Sequence, residues 1–301
     1  MANVRSATLR VLVAGASGFI GTELCRQLAA DGHTVLTLVR RAPRTDTEFQ
    51  WSPTERQVDA RAIESADAVV NLAGATTGRI PWTRSYKREI LHSRVDGTTA
   101  LAESMRAAKS PPTVFLSGSA VGYYGDQPGV TLDEAGAKGH GFLADVVEAW
   151  EQAARLAPEG TRVVTFRTGL VVGNGGAFTP LSLLTRFGLA GRLGSGTQAW
   201  PWISLHDEAA AIRHLLTSQL SGVVNLAGPT PATSVEVTRA LAVAMRRWHP
   251  WVVPSFAIRA LGEAGETLLL TSERVVPARL LADGFSFRDE TVQSAITAFV
   301  P

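Results

Sequence analysis

Seven residues near the start of the chain, Gly15-Ala16-Ser17-Gly18-Phe19-Ile20-Gly21, restrict the fold more than any other feature. They follow a β-forming run, TLRVLVAG (8–15), and lead into FIGTELCRQLAADG (19–32), which has helical periodicity and stops at Gly32. HTVLTLVR (33–40) reads as the next strand, which completes one βαβ unit. At the first junction Gly15 permits a tight turn, Gly18 lets the backbone approach a pyrophosphate, and Gly21 lets the helix pack close to the strand. Free N–H groups at the helix start receive the negative charge. The whole loop, with Ala16, Ser17, Phe19 and Ile20, is therefore expected to cradle a dinucleotide.

The alternation continues. Strands are expected at 49–51, 67–74, 113–119 and 162–169, with helices near 84–108 and 141–157. Strand, helix, strand at this spacing means a parallel sheet covered on both faces, a doubly wound α/β fold of Rossmann type. Such sheets bind ligands at the carboxyl ends of their strands, where the strand order reverses. The 301 residues divide by character into a dinucleotide-binding domain at 1–170 and a smaller, mostly helical cap at 171–301. The second part is turn-rich at 173–178 and 191–202, then carries a helix at 207–217, a strand at 223–228 and helices at 233–246 and 272–283. Some of its segments, 223–226 among them, are expected to return to the main sheet.

The end of the second strand reads the adenosine ribose in this fold. An acidic residue there would repel a 2′-phosphate, but the chain offers Arg40 and Arg41, with Arg44 behind them. Arginine matches a phosphate bidentately, so NADP(H) is expected and NAD(H) is disfavoured. Composition narrows the remaining classes. The single cysteine, Cys25, excludes a disulfide scaffold and a Cys-rich zinc module, and fits core packing in a cytoplasmic protein. A formal charge of +2 with the basic residues dispersed gives nucleic acid no footprint, and no apolar run reaches the length that spans a bilayer. Arg5 and Arg10 before an apolar run imitate a signal peptide, but glycines interrupt that run, so it reads as mature protein. The expected partner is a small-molecule substrate, with neither nucleic acid nor membrane, and the oligomeric state is left open.

The loop GASGFIG, LVRR at 38–41, NLAG at 71–74, KREILHSRVDGTTAL at 87–101, SGSAVGYYGD at 117–126 and ISLHDEAAAI at 203–212 together resemble the extended and atypical short-chain dehydrogenase/reductases. More narrowly, the chain resembles their epimerase-family branch, which is labelled sugar-nucleotide epimerase-like or SulA-type and carries a C-terminal domain of unknown function. That tail corresponds to 224–247 and 272–289 here. The resemblance implies that Leu72, Ala73, Gly74, Arg94 and Ser117 join the cofactor site. It also implies a Tyr and, four residues later, a Lys that move the substrate proton. Those positions fall on Leu143 and Val147, or on Phe142 and Val146, and neither register supplies an acid or a base.

Ser119 and Tyr123 are then the candidate catalytic hydroxyls at the end of a central strand. Tyr124, Lys87, Arg94, His206 and Asp207 stand beside them as other groups, each with a duller role in packing, surface charge or helix capping. Trp82, Trp200 and Trp202 either stack on a flat substrate or join cap to core. The resulting expectation is an NADP(H)-binding oxidoreductase or epimerase-like protein that lacks the Tyr-Lys dyad and acts on a small polar metabolite such as a nucleotide-linked sugar. The alternative is a non-catalytic NADP(H)-dependent sensor or interaction protein.

Overall fold

The computed structural model describes residues 8–300; Arg5 lies outside them. Eight strands build the main sheet: β1 (Arg10–Ala14), β2 (Thr34–Val39), β3 (Glu48–Ser52), β4 (Gln57–Val58), β5 (Ala68–Asn71), β6 (Val114–Ala120), β7 (Arg162–Thr168) and β8 (Gly222–Leu226). Their order is β8-β7-β6-β5-β1-β2-β3-β4, and every pair is parallel except β3 with β4. The chain runs outward from β1 through β2 and β3, then returns to the other side of β1 at β5. This reversal opens a crevice above the ends of β1 and β5, where the fold holds ligands.

Alternation along β1 explains the two cores. Val11 and Val13 face one side and pack with Leu24, Leu28, Ile212 and Leu215 from helices α1 (Phe19–Ala30) and α6 (Leu205–Thr217). Leu12 and Ala14 face the other side, against Ile63 from α2 (Ala60–Glu64) and Leu101 and Met105 from α3 (Arg84–Ala107). Helix α4 (Phe142–Ala154) adds Ala154 to that second core. Each strand of the centre is thus sealed on both faces, which is why its sequence is a continuous apolar run rather than an alternating one.

The second half uses short pairings. Residues 170–172 lie parallel to 202–204, 191–193 to 251–253 and 274–275 to 131–132, while 199–200 run antiparallel to 232–233. Helices α5 (Thr179–Arg186), α7 (Ser234–Ala244) and α8 (Ser255–Arg259) surround a third core containing Phe178, Trp200, Trp202, Leu241, Ile258 and Ile296. Helix α6 begins at Leu205, two residues before the expected start, because Ser204 caps it through the Asp207 N–H at 3.1 Å. The expected helix at 272–283 is confined to Ala278–Ala282. Pro277 disfavours helical geometry at Val276, so Arg274–Val275 extend and pair with Thr131–Leu132 instead.

Candidate functional site

The glycine loop is built as a close crossing of backbones. Gly15 has φ +82°, and a Cβ there would meet the Leu72 carbonyl carbon at 2.8 Å. Gly21 leaves no more room, since its Cβ would overlap the Gly15 carbonyl oxygen and lie 2.9 Å from Ala16 Cα. Helix α1 starts at Phe19 with Gly18 as its cap, no capping side chain and no acid in its first turn. Its leading N–H groups therefore point positive dipole density at the crevice, unopposed. The loop 173–176 closes over this region, with Gly175 so near the Phe19 ring that a Cβ would lie 2.6 Å from Cε2.

The opposite wall is Leu72–Gly74, fixed by a buried brace. Asn71 Oδ1 accepts from the Ala73 N–H at 3.1 Å, while Asn71 Nδ2 and the Trp150 indole both donate to Thr98 Oγ1 at 2.9 Å. Arg94 reaches in from α3, donating from Nη1 to the carbonyls of Ala75 at 3.0 Å and Ile90 at 3.1 Å. It makes no ion pair among the described residues, and burial lowers its pKa to about 10, so it remains a cation at neutral pH. Gly74 packs 3.4 Å from its guanidinium carbon, measured from an ideal Cβ. From these walls one cleft of about 920 Å³ extends over the ends of β6 and β7 to the cap.

Ten of the expected site residues line that cleft: Gly15, Gly18, Phe19, Ile20, Gly21, Leu72, Ala73, Gly74, Arg94 and Ser119. Ala16 and Ser17 form the outer turn of the loop and do not line the cleft, and Ser117 is sealed within β6 beneath it. Arg40 is exposed at the end of β2 and makes no ion pair among the described residues. Arg41 is already engaged, donating to both oxygens of Glu48 at 2.7 and 2.6 Å. That contact and the Arg44 N–H hold the Glu48 carboxyl down at about 2.

The structure separates the two candidate hydroxyls. Ser119 borders the cleft, but its Oγ donates to Glu151 Oε1 at 2.7 Å, and Glu151 is itself clamped by Arg167 at 2.8 and 2.9 Å. A hydroxyl whose only proton is given to a buried carboxylate has none left to polarise a substrate oxygen. Tyr123 lies outside the cleft lining, beneath the Arg167 guanidinium, which stands 3.4 Å from its ring centroid. Tyr124 is fully buried with its hydroxyl 2.8 Å from the Asp133 carbonyl and Asn225 Oδ1, a structural role. Leu143 lines the cleft and Val147 is buried, so that helix face brings no proton carrier to the site.

The remaining alternatives find partners elsewhere. Lys87 pairs with Glu263 at 2.7 Å, His206 lies against Glu23 and Gln27, and Asp207 accepts from the Arg288 and Asp289 backbone. Trp82 and Trp202 pack into cores, and Trp200 belongs to the third core while also lining the cleft.

Two carboxyl groups absent from the sequence expectations stand out here. Glu273, 9% exposed, lines the far end of the cleft and makes no hydrogen bond or ion pair through its side chain among the described residues. Burial and the neighbouring Asp126 carboxylate push it up to about 8. Asp126 also lines the cleft, and its Oδ1 accepts from the Ser272 N–H at 2.8 Å, which fastens the cap segment onto the loop after β6. Glu208, fully buried on α6, accepts from Thr168 Oγ1 at 2.7 Å and is likewise pushed up to about 8 by burial. No periodicity signals either glutamate.

Residues 11–227 match the model of the NAD dependent epimerase/dehydratase family, and 253–299 match a domain of unknown function, DUF1731. The chain belongs to the NAD dependent epimerase/dehydratase family. An epimerase family protein of Mycobacterium leprae is 40% identical, over 95% of this chain and 94% of that protein. The crystal structure of human epimerase family protein SDR39U1 with NADPH superposes with a TM-score of 0.89 at 33% identity, covering 97% and 99% of the two chains. A nucleoside-diphosphate sugar epimerase from Corynebacterium glutamicum gives a TM-score of 0.80 at 30% identity, over 98% of this chain and 58% of that one. Within this epimerase/dehydratase family, the bare helix start, the Gly15–Gly21 crossing and Arg94 are the features of the present chain that fit a dinucleotide.

Proposed function

We propose that this chain is an NADP(H)-dependent oxidoreductase acting on a small, uncharged, polar carbonyl compound or its alcohol, with Glu273 as the proton carrier. The observation that carries the reading is a single cleft that begins at the glycine loop and ends at an unpartnered buried carboxyl. Gly15, Gly18, Gly21, Arg94 and the bare start of α1 would hold the pyrophosphate, and Arg40 would take the 2′-phosphate. NADPH held there would supply the hydride that reduces the carbonyl carbon. Glu273, protonated at neutral pH, donates a hydrogen bond to the substrate oxygen and releases its proton there as the C=O bond becomes C–O–H. Water returns the proton to Glu273. Ser119 and the Glu151–Arg167 pair position the floor of the site rather than exchange protons.

The charge at the free end selects the substrate. Arg259 is the one cation lining the cleft there among the described residues, and it pairs with Glu266 at 3.3 Å, while the Asp126 carboxylate adds negative character and Glu263 is paired with Lys87. A nucleoside diphosphate would lack a cation to receive it and would face carboxylates. A screen for NADPH oxidation with uncharged aldehydes and ketones, run beside UDP-glucose, tests this. The expected result is turnover with the uncharged set and no UDP-glucose binding; tight UDP-glucose binding overturns the substrate class. Absence of turnover with every carbonyl, while NADPH still binds, favours the non-catalytic sensor that Leu143 and Val147 also accommodate.

Two substitutions follow. Glu273→Gln is expected to lower turnover by about 10²-fold or more, in line with lost general acid catalysis, while NADPH affinity stays within about twofold. In the unmodified protein the rate should fall as pH rises through about 8, where Glu273 loses its proton; a pH profile shared by both proteins would remove Glu273 from the mechanism. NADPH should bind more than about tenfold tighter than NADH, since a charge-assisted phosphate contact contributes about 1.5–3 kcal/mol. Arg40→Glu should erase most of that preference, measured by fluorescence titration with each nucleotide. Equal affinities in the unmodified protein would sink the assignment.

A further inference from the structure

The outer surface of the cap carries large apolar side chains that the fold leaves uncovered. Trp248 is 85% exposed, Phe256 75% and Phe187 70%, and Leu189 and Trp251 are exposed as well. The fold gathers them although they are distant in sequence. Residues 191–193 pair with 251–253, the Trp251 indole donates to the Gly188 carbonyl at 3.0 Å, and α5 packs on α7, whose end leads into Trp248. Isolated exposed apolar residues are ordinary, but a contiguous aromatic patch marks an interaction surface.

Charge identifies the partner. Segments 179–198 and 237–262 contain no Asp or Glu, and the exposed acid just before them on α7, Glu236, is engaged by the Thr233 N–H and hydroxyl. They present exposed Arg186, Arg192, Arg239, Arg246 and Arg247, none of which forms an ion pair among the described residues. The whole chain is nearly neutral, with 29 basic and 27 acidic residues, so this face concentrates a charge that is balanced elsewhere. We propose that this face of the cap docks on an anionic lipid surface, with Trp248, Trp251 and Phe256 at headgroup depth and the arginines on lipid phosphates. Tryptophan favours that depth, arginine matches phosphate, and each basic residue adds attraction to an anionic leaflet. No helix among the described residues is long and apolar enough to cross a membrane, which leaves a surface-lying mode. A second copy fits less well, because a two-fold contact would set arginines against arginines.

The test is sedimentation of the full chain with vesicles of phosphatidylcholine alone and of phosphatidylcholine mixed with phosphatidylglycerol. Binding is expected only to the mixed vesicles and should weaken as salt is added. The double change Arg246→Glu and Arg247→Glu should reduce affinity roughly 30-fold or more. Trp248→Ser with Phe256→Ser should reduce it while leaving the salt dependence. Unchanged NADPH affinity in each variant reports an intact fold, and Arg186→Glu with Arg239→Glu gives a second charge variant should the first misfold. Failure to bind mixed vesicles overturns the proposal, as does equal binding to neutral vesicles. A concentration-dependent dimer broken by Trp248→Ser, or capture only by an acidic protein, would likewise assign the face to another partner.

Discussion

Gly21→Ala is expected to abolish dinucleotide binding while leaving a folded chain. The added methyl group would overlap the Gly15 carbonyl oxygen and crowd Ala16 Cα at 2.9 Å, and all of these atoms are backbone. No rotamer relieves such a clash, so the loop or the start of α1 must shift. Overpacking of this kind costs about 1–3 kcal/mol in stability, which a domain of this size survives. Binding suffers more, because the pyrophosphate needs several N–H groups aimed together and displacement misaims all of them at once. Affinity for NADPH should fall at least about 100-fold. Gly32→Ala is the control: Gly32 has φ +84° but nothing within 4 Å of the added carbon, so it should cost about 1 kcal/mol of stability and leave binding unchanged. Equal binding losses in the two variants would mean that lost stability, not the backbone crossing at position 21, accounts for the effect.

Glu208→Gln is expected to make the protein relatively more stable as pH rises. The Glu208 carboxyl is fully buried, and its pKa stands at about 8 in the folded protein against an ordinary 4.5. Below 4.5 both folded and unfolded chains hold the proton and the group has no net effect. Between 4.5 and about 8 the unfolded chain releases it while the folded chain keeps it, so stability falls as pH rises. At about 1.4 kcal/mol per pH unit, the loss reaches on the order of 4 kcal/mol by pH 8. Glutamine accepts the Thr168 hydrogen bond and cannot ionise, so the gap between variant and unmodified protein should widen by that order from pH 5 to pH 8. Urea unfolding at several pH values measures it. A constant offset would show that Glu208 is ionised when folded, with its charge compensated.

The sheet and the glycine loop were legible in the sequence because both depend on local pattern. Val11 to Ala14 and Ala68 to Asn71 are buried on both faces, and such strands announce themselves as short apolar runs beside turn residues. The cap was less legible, since strands of two or three residues such as 191–193 and 251–253 exist only as pairs and carry no period of their own. Site residues divided along the same line. Gly15, Gly18 and Gly21 could be expected at the crevice because their backbone geometry is set by the residues next to them, whereas Glu273 meets the loop after β6 from nearly 150 positions away. Ser119 does line the cleft, but nothing near it in sequence reveals that Glu151 claims its proton. Arg41 likewise looked free until the loop brought Glu48 back against it.

Strand β8 closes one edge of the main sheet, and its attachments come from both sides of the apparent division at 170. Glu134 Oε1 accepts from the backbone N–H groups of Asn225 and Arg279, and the Arg279 side chain donates to the Val223 carbonyl. The consequence concerns the order of events at the ribosome. Everything up to Thr168 can emerge while β7 still presents an unpaired edge, and that edge is covered only after 222–226 leave the exit tunnel and is pinned only by 279. A half-made chain therefore exposes a sticky margin of sheet for the time taken to translate roughly sixty further residues. The dinucleotide half is thus a region of the finished molecule rather than a segment that a recombination event could lift out intact.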